Sequence, residues 1–284
     1  MSIISTNHQL YEIMSGSSSN EVAVWLDKKI KTILEGRSTR ELYMTYSLLA
    51  QRVPPSSNIR YPPSNSEAIA YLKAKNANLL EVSRIYLLAT VLEENPDFFT
   101  SKVANLIQIA DTKELETVLK FLYLLPHPEN FIHTATEALR SNILSIFNAI
   151  ALNNPYPGLY FNEQQWNQMY LKAAFVETDL SQIRDIEKKA NAELARIISD
   201  YAHERWAASR TINPLFWRPV SHFLNTTLLQ DMKRLLESTN QKETYAAALC
   251  CLESNSVEAT ALIDSYPELR KEIEQKNINW TNLA

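Results

Sequence analysis

The sequence is poor in glycine. Only Gly16, Gly36 and Gly158 occur in 284 residues, where average usage would place about 20. Glycine supplies the positive-φ positions of tight hairpins and of phosphate-cradling loops. A β-rich fold, a dinucleotide-binding fingerprint and a P-loop are therefore not expected. Cysteine is nearly as scarce. Cys250 and Cys251 are adjacent in an apolar run, and neighbours on a helix diverge by about 100°, so neither a disulfide nor a shared metal fits them. Both read as small core residues. No apolar run approaches the roughly 18 residues of a spanning helix. The first twenty residues, MSIISTNHQLYEIMSGSSSN, lack the basic region and continuous apolar stretch of a secretory signal. There is no basic excess either. The net charge of −4 gives no reason to expect a nucleic-acid partner.

What remains is the composition of a soluble globular chain, 45% hydrophobic and 21% charged, arranged with helical periodicity. Residues 1–20 read as a polar N-terminal arm, as a short helix or a loose segment. Residues 21–284 read as a single α-helical repeat domain. The helix of 21–35 is expected to stop at Gly36. Ser38 with Glu41, Ser64 with Glu67, and Asp111 with Glu114 have the spacing of capping boxes. Asn95-Pro96 is a cap followed by proline at the first helical position. His127-Pro128 opens what reads as one long helix through ALRSNILSIFNAIAL. Two proline-rich breaks, 54–63 and 153–161, interrupt the pattern. Three helices follow at 226–237, 241–253 and 255–264. Short connections between helices of three to four turns imply antiparallel neighbours. The expected fold class is all-α, a HEAT- or armadillo-like α-solenoid of antiparallel helix pairs.

The chain is organised around 191–218, NAELARIISDYAHERWAASRTINPLFWR. Asn191 is a good N-cap. Leu194, Ile198, Tyr201, Arg205 and Ala208 share one face of the helix it opens. Arg205 is a guanidinium on an apolar seam. It needs a carboxylate or carbonyl partner if buried, or else it faces a cavity and holds an anion.

Five histidines occur, and no pair has HExxH spacing. No nucleophile elbow appears, and no metal site or cofactor is implied. Aromatics crowd 156–217. The plainer reading is core filling. The alternative is an aromatic-lined pocket for a flat apolar ligand, with candidates Asn154, Tyr156, Trp166, Asn167, Gln168, Lys172, Tyr201, Arg205, Trp206, Arg210 and Trp217. An enzymatic site would instead draw on Asp200, His203, Glu204, Arg205 and Lys172. An inward-pointing Asp200 or Glu204 near Lys172 would favour it.

The strings EALRSN (137–142), NAIALNNPYPGLYF (148–161), QWNQMYLKAAF (165–175), NAELARIISDYAHERWAASR (191–210) and AAALCCLES (246–254) resemble the EboA family of metabolite traffic proteins. The resemblance covers about 137–264; the first 130 residues share only the helical pattern. It implies a role in making or moving a small metabolite. It also implies partners among the proteins of the ebo gene cluster, a prenyltransferase-like membrane protein included. The chain would be cytoplasmic or peripheral at the inner membrane, without spanning it. No catalytic residue comes with the resemblance. Where relatives read Gly-Leu-Asp-x-Arg-Ala-Asn, this chain has Asp185-Ile186-Glu187-Lys188-Lys189-Ala190-Asn191. The lost glycine is expected to straighten that turn, and the lost arginine weakens any anion contact there.

Overall fold

A computed structural model describes residues 5–54, 58–64 and 66–284. Residues 1–4 of the N-terminal arm and 55–57 of the first proline-rich break lie outside these. Among the described residues every regular element is helical and there is no β-strand. The chain divides into two compact units, 1–150 and 151–284.

The first unit holds α1 (Thr6–Ser17), α2 (Asn20–Gly36), α3 (Thr39–Arg52), α4 (Glu67–Ala74), α5 (Leu79–Glu94), α6 (Pro96–Ile109), α7 (Thr112–Phe121), α8 (Ile132–Leu139) and α9 (Leu144–Ala151), in whose last residues the division falls. Residues 6–17 of the arm are thus a helix, and Leu10, Ile13 and Met14 bury its inner face. At the centre is α5, which packs on α1, α2, α3, α6 and α7. Eleven of its sixteen residues are buried, as expected of a helix apolar on nearly all sides.

Arg84 lies in the middle of α5, 3% exposed. Its Nη2 meets Glu114 Oε1 at 3.3 Å, its Nε donates to the Tyr46 carbonyl at 3.4 Å, and its guanidinium sits 4.9 Å over the Tyr46 ring. Tyr46 O–H in turn donates to the Glu114 carbonyl at 2.8 Å. A buried charge persists only with such partners.

The helix starts largely follow the sequence. Asn95 caps α6 with Pro96 at its first position. Asp111 and Glu114 form a reciprocal capping box on α7. Three expectations need correction. Ser66, not Ser64, caps α4 by accepting from Ile69 N–H; the Glu67 carboxylate instead accepts from Tyr123 O–H. Ser38 caps α3, but Glu41 turns to Lys29 Nζ at 2.8 Å, so its half of the box does not form. The long helix after His127 is broken into a 310 turn (128–131), α8 and α9. Ser141 takes the Ile143 N–H at 3.1 Å, a local bond that competes with helix continuation.

Gly36 is likewise not the left-handed stop of α2. It is the last helical residue, and Arg37 takes φ 45°. Among the described residues eight non-glycine residues have positive φ and no glycine does. At Arg37, Asn76, Glu177, Ser209 and Asn277 these residues end helices. The paired bonds Ser38 N–H to Ile33 O and Arg37 N–H to Leu34 O are those of a Schellman end. Scarcity of glycine therefore does not remove left-handed caps; side-chain-bearing residues adopt them.

The second unit holds α10 (Tyr156–Tyr160), α11 (Glu163–Phe175), α12 (Ile186–Lys189), α13 (Ala192–Ala207), a 310 segment (Pro214–Phe223), α14 (Thr226–Leu236), α15 (Gln241–Glu253), α16 (Val257–Asp264) and α17 (Pro267–Lys276). Its core element is α15, whose residues 246–251 are all buried against the 310 segment, α14, α16 and α17. Both cysteines are among them and are free. Burial raises both thiols, Cys251 to about 12. In the 310 segment Pro219 lacks an N–H and crowds the preceding turn, which disfavours an α-helix. Phe216 and Trp217 nonetheless pin the segment, both fully buried.

The turn at 185 is not straightened. Asp185 itself takes the left-handed conformation, φ 58° and ψ 25°, which aspartate tolerates better than most residues. Its carboxylate lies against Gly158, where an added Cβ would stand 2.6 Å from Asp185 Oδ2. Lys189 donates to the Phe161 carbonyl at 2.9 Å.

Candidate functional site

The sequence-derived candidates separate by burial into three groups. Asn154, Tyr156, Trp166, Asn167 and Trp217 are buried, each 3% exposed or less. Asn154 Oδ1 accepts from Tyr156 N–H. Asn167 and Asn191 exchange two amide bonds, at 2.9 and 3.1 Å, while Asn191 Oδ1 also caps α13 by accepting from Leu194 N–H. Asn167 thus ties α11 to the first turn of α13. The indole N–H groups of Trp166 and Trp217 are buried and find no acceptor, each at a cost of about 1–3 kcal/mol.

Gln168, Asp200 and Glu204 are exposed. Asp200 pairs with Arg196 one turn back on α13, so it faces solvent rather than a cavity. Lys172 is half-buried, and its ammonium pKa is lowered by desolvation.

Tyr201, Arg205, Trp206 and Arg210 form the third group, and they line two clefts that share Thr211. The first, of about 510 Å³, is lined by Tyr201, Arg205, Glu177, Thr211, Asn213 and Lys242 among others. Arg205 is 19% exposed and donates through Nε and Nη2 to the Thr211 carbonyl, at 3.0 and 2.8 Å, with Glu177 at 3.6 Å. It closes the turn that follows α13 through that carbonyl while also bordering the cleft. Behind this cleft Tyr170 O–H donates to the Leu215 carbonyl at 3.2 Å, and its ring stacks on Phe216 at 5.5 Å. Burial raises the Tyr170 phenol well above its ordinary pKa.

The second cleft, of about 470 Å³, is lined by Trp206, Arg210, Thr211, Arg234, Ser238 and Glu243 among others. The half-buried Trp206 ring stacks on buried Trp217 at 5.8 Å and 22°, and the Arg234 guanidinium lies 4.1 Å over the same indole. His203 stands 5.7 Å from Trp206. Its Nε2 meets Asp231 Oδ1 at 2.6 Å, and Ser199 Oγ donates to Asp231 Oδ2 at 2.6 Å. These contacts join α13 to α14. Ser199 bonds to the aspartate and not to the histidine, so this is not the relay of a serine hydrolase.

Asp231 and Arg234 were absent from the sequence candidates. A signal for Asp231 existed. It lies three residues after Leu228 and four before Leu235 on the buried face of α14, the same pattern that drew attention to Arg205. Its partners Ser199 and His203 are 32 and 28 residues away, beyond the reach of local spacing. Among the described residues no group of three or more His, Cys, Asp or Glu is placed to hold a metal, and no helix is long and apolar enough to cross a membrane.

Comparison with known proteins adds a family. No curated protein and no solved structure matches the chain. Residues 6–221 match the family model described as metabolite traffic protein EboA. The match takes in the N-terminal residues that the sequence strings had left to helical pattern alone, and it ends before the expected stretch at 246–254. It spans well over half of the chain, which therefore belongs to the EboA family of metabolite traffic proteins.

Proposed function

We propose that this protein is a non-enzymatic helical carrier or scaffold that binds a small metabolite, flat or aromatic in part, on the second unit. The observation that carries the reading is the pair of clefts meeting at Thr211, onto which Tyr201, Arg205, Trp206 and Arg210 all open. Each cleft sets one aromatic side chain, Tyr201 or Trp206, among convergent polar groups, a combination that small-molecule sites use. A solenoid of helix pairs is the wider architecture in this proposal. Successive helices that pack on each other, α2 with α3, α14 with α15 and α15 with α16, support it. Family membership supports metabolite traffic as the process. The partners would be other products of the same gene cluster, the prenyltransferase-like membrane protein among them, met in the cytoplasm or at the inner-membrane surface.

The competing reading is an enzyme acting on an intermediate of the same pathway. The Asp231-oriented His203, half-exposed beside Trp206, is the one arrangement that favours it. Solvent-facing Asp200 and Glu204 support binding instead. Native mass spectrometry of protein purified from a host with the intact gene cluster tests the proposal. A mass increment that disappears on denaturation is expected. The bare chain mass, with no retained molecule, would overturn the carrier reading.

A further inference from the structure

The second cleft carries two guanidinium groups that, among the described residues, pair with no carboxylate. Arg210 and Arg234 are both exposed, and among the described residues neither takes part in an ion pair or a side-chain hydrogen bond. Most other arginines near them are engaged: Arg196 with Glu193 and Asp200, Arg205 with Thr211 and Glu177, Arg218 with Glu187. The carboxylate that does line the cleft, Glu243, accepts from Ser238 Oγ.

Arg234 also sits in the last turn of α14, where a cation complements the helix dipole. That accounts for its charge there, but not for its position over Trp206. A guanidinium over an indole, 4.1 Å from the ring centroid, marks a ring face open to a planar group. The indole is backed by the buried Trp217 ring.

We propose that this cleft binds a ligand with a flat apolar body and one anionic head, phosphate or carboxylate. The body lies against Trp206, and the head is held by Arg210 and Arg234 with the Thr239 hydroxyl beside them. The proposal rests on the binding reading above and names the ligand class. Arg234 swings off the indole to meet the head, leaving its place on the ring to the ligand. Guanidinium suits either head because its fork of donors matches both oxyanions.

Calorimetric titration with 2-naphthyl phosphate tests it, with 2-naphthol and inorganic phosphate as the separate halves. The joined compound is expected to bind at least about tenfold more tightly than either half, and Arg210→Ala and Arg234→Ala each to weaken it by about tenfold, as loss of a charge-assisted bond predicts. Titration with 2-naphthoate reports which head is preferred, and binding of either anion through the two arginines supports the site. Equal affinity for 2-naphthol, no binding at millimolar probe, or an unchanged affinity in the double variant would overturn it. The carrier reading fails separately. If the double variant from the cluster-bearing host still retains its small molecule, this cleft is not the place and the carrier reading stands. If the probe binds through the arginines but native protein retains nothing, the cleft stands and the carrier reading falls.

Discussion

Among the described arginines that sit over aromatic rings, Arg84 in the first unit and Arg234 in the second make the closest approaches, and they behave in opposite ways. Arg84 in the first unit is enclosed, paired with Glu114 and stacked on Tyr46. Arg234 in the second is exposed, unpaired and stacked on Trp206. The enclosed guanidinium has every reason to stay where it is, because a charge out of water needs its partner. The exposed one has little to hold it and can exchange its ring contact for another. Stacking alone therefore says nothing about role. The presence or absence of a carboxylate partner separates the fixed cation from the available one.

The largest expected effect breaks this contrast if it fails. Glu114→Gln keeps an oxygen for the Asp111 N–H but strips the counter-charge from Arg84, and should destabilise by about 3 kcal/mol or more in chemical denaturation. Arg234→Ala should stay within about 0.5 kcal/mol. Similar losses in both would show that the two arginines are equally structural.

Next comes the contact between Gly158 and Asp185. Gly158→Ala should cost about 1–3 kcal/mol, since the new methyl meets a carboxylate fixed by its own backbone. Asp185→Gly on top should restore most of the loss, because it removes both the obstacle and the left-handed strain. Failure of that rescue would mean that the clash is not the cause.

Alkaline pH gives a third, smaller comparison. The thiols lie in the second unit only, while buried phenols occur in both, Tyr46 and Tyr170, their pKa raised by burial. For Cys251 the unfolded chain releases its proton near the ordinary value of 9.0 and the folded chain near about 12. The unfolded state thus binds fewer protons over that interval, and stability falls as pH rises through it. Melting temperature measured from pH 8 to pH 11 should decline, and both thiols should resist labelling in the native protein at pH 8. Rapid labelling of either would contradict its burial.

The smallest expected effects are gains. Arg37→Gly in the first unit and Ser209→Gly in the second relieve positive-φ residues at helix ends. Each should raise stability by about 1 kcal/mol, the order of the left-handed penalty for an L-residue.

Much of the fold was legible because caps are local. Asn95-Pro96, Asp111 with Glu114, and Asn191 all open helices as their spacing implied. Where two serines stand two apart, as at 64 and 66, spacing alone could not choose between them. The helix break near 141 depends on a single side-chain bond, too weak a signal to read against a strongly apolar run. At the candidate site, local patterning identified the aromatics and Arg205, but could not tell the buried Trp166 and Trp217 from the half-buried Trp206. The partners that give the region its character, Asp231 for His203 and Arg234 for Trp206, come from another helix.

The near-absence of glycine has a thermodynamic meaning beyond fold class. Glycine is the residue with most backbone freedom to lose on ordering. A chain with three in 284 residues begins from a stiffer disordered ensemble, which narrows the entropy gap that folding must close. The side-chain-bearing residues held at positive φ are the counterweight, since local strain in the native state takes the place of freedom withheld from the denatured one.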